Sequence, residues 1–270
     1  MKKLLLFTVS VLLSFVAVNK GISKNGFDTE NNDNVSDSIG VKRTRVYIPA
    51  DSFPTNNGLL KVTLVGHGSL MFEHDGKVIH VDPYNKIANY ARLPKADLII
   101  LTHEHSDHLD KDAIAQVKKD DSRFIMTQKC NEILGYGEVI KNKEKTTFGN
   151  IAIEAVPAYN RVHRNSEEKF YHPKGVGNGY IFTFDNLKVY VAGDTENINE
   201  MKKLAGTIDI AFMPKNIPYT MTDDMFVDAA KKVMPKCLYP YHFSNFDKEA
   251  FEKQLEGTNI KLEVRPMSNK

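Results

Sequence analysis

From Leu59 onward the chain is a series of short apolar runs punctuated by turn residues. "LLKVTLVG", "SLMFEH" and "KVIHVDP" predict strands, and Asp75-Gly76 between the last two suits a two-residue hairpin turn. "ADLIILT" is continuously apolar, the mark of a strand buried on both faces. "DKDAIAQVKK" then spaces its apolar residues for a short helix with charges facing water. "RFIMT" predicts another strand, and "KTTF" and "IAIEAVPA" flank a Gly149-Asn150 turn.

The second half echoes the first. "GYIFTF" and "KVYVAGD" predict a hairpin about Asp185-Asn186, and "NINEMKKLA" predicts a helix. "IDIAFMP" is a buried strand followed by "TDDMFVDAAKKVM", where Thr222 can cap a helix carrying Asp223 and Asp224 in its first turn. "CLYPYHF" and a last helix near "DKEAFEKQLE" complete the pattern. Strands that first meander and then alternate with helices, twice over, are accommodated by two sheets covered by outer helices, an α/β (α+β) architecture. No second linker interrupts the pattern, so residues 59–270 are read as one domain.

The N-terminus reads differently. Lys2 and Lys3 precede an almost purely apolar run from Leu4 to Val18, so residues 1–20 are expected to be a signal peptide or an uncleaved anchor. Residues 21–58, rich in Asn, Asp and Ser, read as a polar linker and lead-in. The protein is therefore expected to be exported, periplasmic or secreted, and held at a membrane only if the signal stays uncleaved. The net charge of +2 rests on Lys2, Lys3 and Lys20 and gives no reason to expect a nucleic-acid partner. Cys130 and Cys237 are the only cysteines and do not constitute a disulfide framework.

The chemistry concentrates in "LTHEHSDHLD", residues 101–110. In an extended segment residues two apart point the same way, so His103 and His105 can reach one metal ion. Asp107 and His108 follow where the chain begins to turn and can hold a second. Imidazole nitrogen with carboxylate oxygen suits zinc, manganese or iron. Glu104 and Asp110 read as loop and helix-start charges.

"THEHSDHLD" resembles the His-x-His-x-Asp-His signature of the metallo-β-lactamase superfamily. "GHGSLMFEHDGKVIHVDPY" is similar to the opening of the branch that contains ascorbate-6-phosphate lactonase-like proteins and the N-acylethanolamine-releasing phospholipase D. The resemblance implies a four-layer αββα sandwich with two metal ions, zinc by preference, at one sheet edge. It implies Asp194 of "VYVAGDTE" as the bridging carboxylate, with Gly193 permitting a tight turn, and His242 of "LYPYHFS" as a further ligand.

One position departs from the common pattern. Where many relatives carry a histidine after a strand ending in Pro, "EAVPAYNRVH" has Asn160. His172 of "FYHPKGVGNGY" is the preferred replacement, with His163 the alternative. Asp82 matches a buried carboxylate beneath the histidine loop, suited to accept a ring N–H. His67 is expected to touch substrate or a ligand, or else to be turn chemistry set by its glycine neighbours. His74 and His80 are expected to take no part in catalysis.

Two cations bridged by Asp194 and a solvent oxygen would make hydroxide available near neutral pH, and Asp107 would orient the nucleophile or relay a proton. The resemblance points to hydrolysis of an ester-type bond in a small molecule: a phosphodiester, a lactone or a related ester. Loops near Tyr159, Lys174, Asn178 and Pro214 to Thr222 are expected at the mouth, where Lys174 and Lys215 would meet a phosphate or carboxylate. The alternatives within the same superfamily are an iron-dependent redox protein and a binding protein without catalysis.

Overall fold

The structure, a computed structural model, describes residues 48–267. The expected export signal and residues 21–47 of the expected linker lie outside the described residues. Among the described residues no helix is long and apolar enough to cross a membrane.

The first sheet has seven strands in sequential order. β1 (Ala50–Thr55), β2 (Gly58–Gly66), β3 (Ser69–His74) and β4 (Lys77–Val81) form an antiparallel meander. β5 (Ala96–Ile100), β6 (Lys118–Met126) and β7 (Glu138–Val139) then add in parallel. Asp75 and Gly76 both adopt positive φ, 49° and 69°, as the hairpin turn requires. β1 lies in the stretch read as lead-in. It is an edge strand containing Pro54, without the alternation that marks its neighbours.

The second sheet repeats the plan with β8 (Lys145–Phe148), β9 (Ile151–Ala158), β10 (Gly177–Phe184) and β11 (Leu187–Val191) as an antiparallel meander. β12 (Ile210–Pro214), β13 (Cys237–Tyr241) and β14 (Lys261–Leu262) extend it in parallel. The inner faces meet in one apolar core. Phe72 of the first sheet packs edge-on against Phe182 and Phe184 of the second, at ring separations of 5.2 and 5.6 Å.

Helices cover both outer faces. α1 (Lys111–Val117) and α2 (Gln128–Leu134) flank the first sheet, and α3 (Asp223–Val233) and α4 (Lys248–Gln254) the second. Thr222 caps α3 through Met225 N–H as its sequence predicts. α2 has no counterpart in the apolar pattern, although Thr127 caps it and Gly135, at φ 79°, ends it. The helix predicted over "NINEMKKLA" is a 3-10 segment, Asn199–Leu204, whose N-cap Ile198 has no side chain able to accept a hydrogen bond. The four layers are helices, sheet, sheet, helices, the expected αββα sandwich.

Candidate metal centre

The sandwich carries its polar cluster at one edge, where β4, β5, β11 and β13 end. β5 delivers Thr102 and His103 directly after its last apolar residues. A turn follows in which His108 and Leu109 N–H both bond the His105 carbonyl, at 2.9 and 2.8 Å. That reversal divides the motif. His103 Nε2 and His105 Nδ1 converge to 3.1 Å on one side, and Asp107 and His108 face the other.

Gly193 turns the chain after β11 at φ 65°, and a Cβ there would stand 2.7 Å from the Asn178 carbonyl. The turn sets Asp194 between the two sides. Its Oδ2 lies 3.4 Å from both His172 Nε2 and His242 Nε2 and 4.0 Å from His103 Nε2. Its Oδ1 lies 3.5 Å from His108 Nε2. His242 follows β13 with its backbone N–H on the His67 carbonyl at 2.8 Å.

Three groups of ligand-type atoms result among the described residues, each gathered within 4.8 Å: His103, His105 and His172; His67, Asp107, His108 and His242; and Asp82, His103 and His108, which lies behind the other two. His172 joins the first group; His163 belongs to none and lies with its Nδ1 2.8 Å from Glu196 Oε1. Asn160 does not face the cluster as a ligand. Its Oδ1 accepts from His172 Nδ1 at 2.6 Å.

The ring nitrogens behind the cluster are held. Asp82 is fully buried; its Oδ2 accepts from His108 Nδ1 at 2.7 Å and Thr102 Oγ1 at 2.5 Å, and its Oδ1 from Thr102 N–H at 2.8 Å. The Thr102 hydroxyl, having donated to Asp82, accepts from His103 Nδ1 at 3.0 Å. With Nδ1 engaged behind, both rings present Nε2 inward.

Whether these residues fit a cation is decided by what their inward atoms lack. His108 Nε2, His172 Nε2, His242 Nε2 and Asp194 Oδ1 are buried without a hydrogen-bond partner among the described residues. Each such atom costs about 1–3 kcal/mol if left unsatisfied. Converging imidazole nitrogens and carboxylate oxygens are the donor set a divalent cation takes, so these residues fit one.

The electrostatics agree. Burial raises the Asp107 carboxyl, but His242 Nε2 at 3.5 Å, the close contact with His67 and the nearby His108 outweigh it and hold it far below the usual carboxylate range. Asp194 is likewise lowered against its burial, by His242, His108 and His172. Burial depresses His172 to about 4 and takes His103 well below its ordinary value. Burial would also lower His108, yet Asp194, Asp82 and Asp107 push it up to about 10, a measure of the negative charge gathered here.

The supporting residues differ from the sequence reading at several points. Asn178 is buried and bonds the Ile140 carbonyl, so it does not line a mouth. Lys174 pairs with Glu200 at 3.0 Å and lies over the Tyr159 ring, and Lys215 pairs with Asp223 at 2.8 Å. His74 meets Thr55 and Asp185, and His80 meets the Pro94 carbonyl, both away from the cluster. Asp110 caps α1 through Asp112 and Ala113 N–H. Glu196, which the sequence reading passed over, is fully buried against the Asn160 loop; its only sequence signal is its place two residues after Asp194.

Residues 61–242 match the beta-lactamase superfamily domain. In sequence the chain is similar to a UPF0173 metal-dependent hydrolase of Archaeoglobus fulgidus, 29% identical over 223 residues, 76% of this chain and 94% of that protein. In structure it is similar to a candidate metal-dependent hydrolase of Parabacteroides distasonis, with a TM-score of 0.78 and 45% identity over 82% of this chain and 100% of that one. A metallo hydrolase of the archaeon Ignicoccus hospitalis shares the fold, with a TM-score of 0.64 and 23% identity over 78% of this chain and 96% of that one. The chain belongs to the metallo-β-lactamase superfamily.

Proposed function

We propose that this chain is a metal-dependent hydrolase that cleaves an ester-type bond in a small molecule, with a dinuclear centre at the edge of the sandwich. The observation that carries the reading is the set of four buried, unpartnered donor atoms from His108, His172, His242 and Asp194. His103, His105 and His172 would hold one cation and Asp107, His108 and His242 the other, with Asp194 between them. Two bound divalent cations would activate a water molecule near neutral pH and polarise the bond attacked.

The chain's own residues supply the rest. Asp194 lies between the groups, its Oδ2 3.4 Å from His172 Nε2 of one and from His242 Nε2 of the other and its Oδ1 3.5 Å from His108 Nε2, a position from which its carboxylate could serve both cations. Asp107 is half-buried and held ionised by its imidazole neighbours, so it can accept a hydrogen bond from the attacking water and orient it. Asp82 and Thr102 keep His108 and His103 in the tautomer that presents Nε2. With Lys174 paired to Glu200 and Lys215 to Asp223, substrate negative charge would be met first at the centre itself.

The likeness of "GHGSLMFEHDGKVIHVDPY" to the lactonase and phospholipase branch supports phosphodiesters, lactones or related esters as the substrate class. Zinc is the cation the imidazole-rich donor set suits best. Export, suggested by the apolar run from Leu4 to Val18, stands as part of the proposal. A screen of the zinc- and manganese-loaded full chain against phosphodiesters, lactones and thioesters tests it. Turnover of an ester class that vanishes in His105→Ala supports the reading; no turnover in any class with both cations bound overturns it.

A further inference from the structure

Asn160 is buried and uses every hydrogen-bonding position its side chain has. Its Nδ2 donates to Glu196 Oε1 at 3.0 Å and to the Tyr219 carbonyl at 2.9 Å. Its Oδ1 accepts from the His172 backbone N–H at 3.0 Å and from His172 Nδ1 at 2.6 Å. Glu196 is equally committed. Beyond Asn160, its Oε1 accepts from His163 N–H at 2.7 Å, and its Oε2 from Arg161 and Val162 N–H at 2.6 and 2.7 Å.

These partners decide which way the amide points. The Tyr219 carbonyl has no proton to give, and both Glu196 oxygens already receive N–H donors, so the amide NH2 must face them. The amide oxygen then faces His172 and can only accept. His172 Nδ1 must therefore carry the ring proton, which leaves the lone pair on Nε2. That is the buried, unpartnered atom 3.4 Å from Asp194 Oδ2.

Building on the reading of His172 as a cation ligand, we propose that Asn160 and Glu196 are positioning residues that set the direction and tautomer of its imidazole. Glu196 gathers three consecutive backbone N–H groups and so fixes the loop at 161–163. Asn160 transmits that placement to the His172 ring. It also holds the Tyr219 carbonyl, tying the 214–222 loop to the same anchor. The arrangement stands where Asp82 stands behind His108, with a neutral carboxamide in place of the carboxylate.

The test combines ring-nitrogen NMR with cation affinity, both on the full chain. Long-range 15N–1H spectra of the wild type, before and after zinc addition, report which His172 nitrogen bears hydrogen. Nδ1–H in both states is expected; Nε2–H before zinc overturns the proposal without any variant having to fold. Chelator-competition titrations then compare His172→Ala, Asn160→Leu and Glu196→Gln, with the circular dichroism of each as a check on folding. Asn160→Leu and Glu196→Gln are expected to weaken one zinc site by about 10–100-fold and leave the other unchanged. If His172→Ala weakens a site while a folded Asn160→Leu does not, the positioning role is wrong and the ligand reading stands. If His172→Ala leaves both affinities unchanged, the ligand reading itself is wrong.

Discussion

His67 Nε2 lies 2.7 Å from Asp107 Oδ2, closer to that oxygen than His242 Nε2 at 3.5 Å or His108 Nε2 at 3.8 Å. The contact ties the β2–β3 turn to the histidine loop. His67 sits there at φ 51° with its ring 3.7 Å from that of His242. Replacing His67 with Ala frees the Asp107 carboxylate to swing. Turnover should fall about 10–100-fold, and the cation at Asp107, His108 and His242 should bind more weakly, with the other unaffected. Competition titration against a chromophoric chelator checks this; equal weakening of both sites would contradict it.

Gly68 bears on the same turn by absence. A Cβ at that position would stand 2.6 Å from His108 Cε1, and the His108 ring is fully buried with its Nδ1 bonded to Asp82. The ring cannot yield without breaking that bond. Gly68→Ala should cost about 1–3 kcal/mol in urea unfolding and reduce bound metal. Unchanged stability and metal content would show that the turn relaxes away from the ring.

His80 should make the protein acid-sensitive independently of the centre. Burial holds its imidazole down at about 4, with Nε2 donating to the Pro94 carbonyl at 2.9 Å. A histidine lowered in the folded state contributes stability that is fully present above its unfolded value of 6.5 and is lost as pH falls toward the folded value of about 4. By pH 4 that loss is roughly 3 kcal/mol. Denaturant midpoints of wild type and His80→Gln across pH 7 to 4 measure it. The two curves should converge on acidification, and parallel curves would count against the assignment.

Arg265 joins the two sheets far along the chain. Its NH2 lies 2.9 Å from Asp51 Oδ2, while Asp51 is buried and also accepts from Tyr239 OH at 2.8 Å. Arg265→Met leaves that carboxylate without its cation and should cost about 3 kcal/mol. Guanidinium unfolding reads the loss, and metal binding by the folded variant should not change.

Much of this site is legible along the chain because its residues sit just past strand ends. The continuous apolar run of β5 points to the edge from which His103 and His105 project, and Gly193 marks the turn that aims Asp194. What the pattern does not show is settled by contacts distant in sequence. The chain favours His172 over His163 but leaves both open. The structure separates them through Asn160, whose amide is oriented by Glu196, 36 residues away. The partners of Lys174 and Lys215 are similarly tertiary, so an apparent rim of free cations resolves into ion pairs. α2 escapes notice because it buries Cys130 alone, whereas α1, equally short, buries Ala113, Ile114 and Val117 on one face; both caps of α2 are nonetheless present.

The central claim is that two divalent cations sit among these side chains and drive hydrolysis. Metal content of the full chain, purified without added metal and measured beside hydrolysis of bis(p-nitrophenyl) phosphate before and after chelation, tests it most directly. The account predicts two equivalents of zinc or manganese, activity lost on chelation, and recovery on re-addition of the metal. A folded protein without metal, or one iron with oxygen consumption and no hydrolysis, would contradict it.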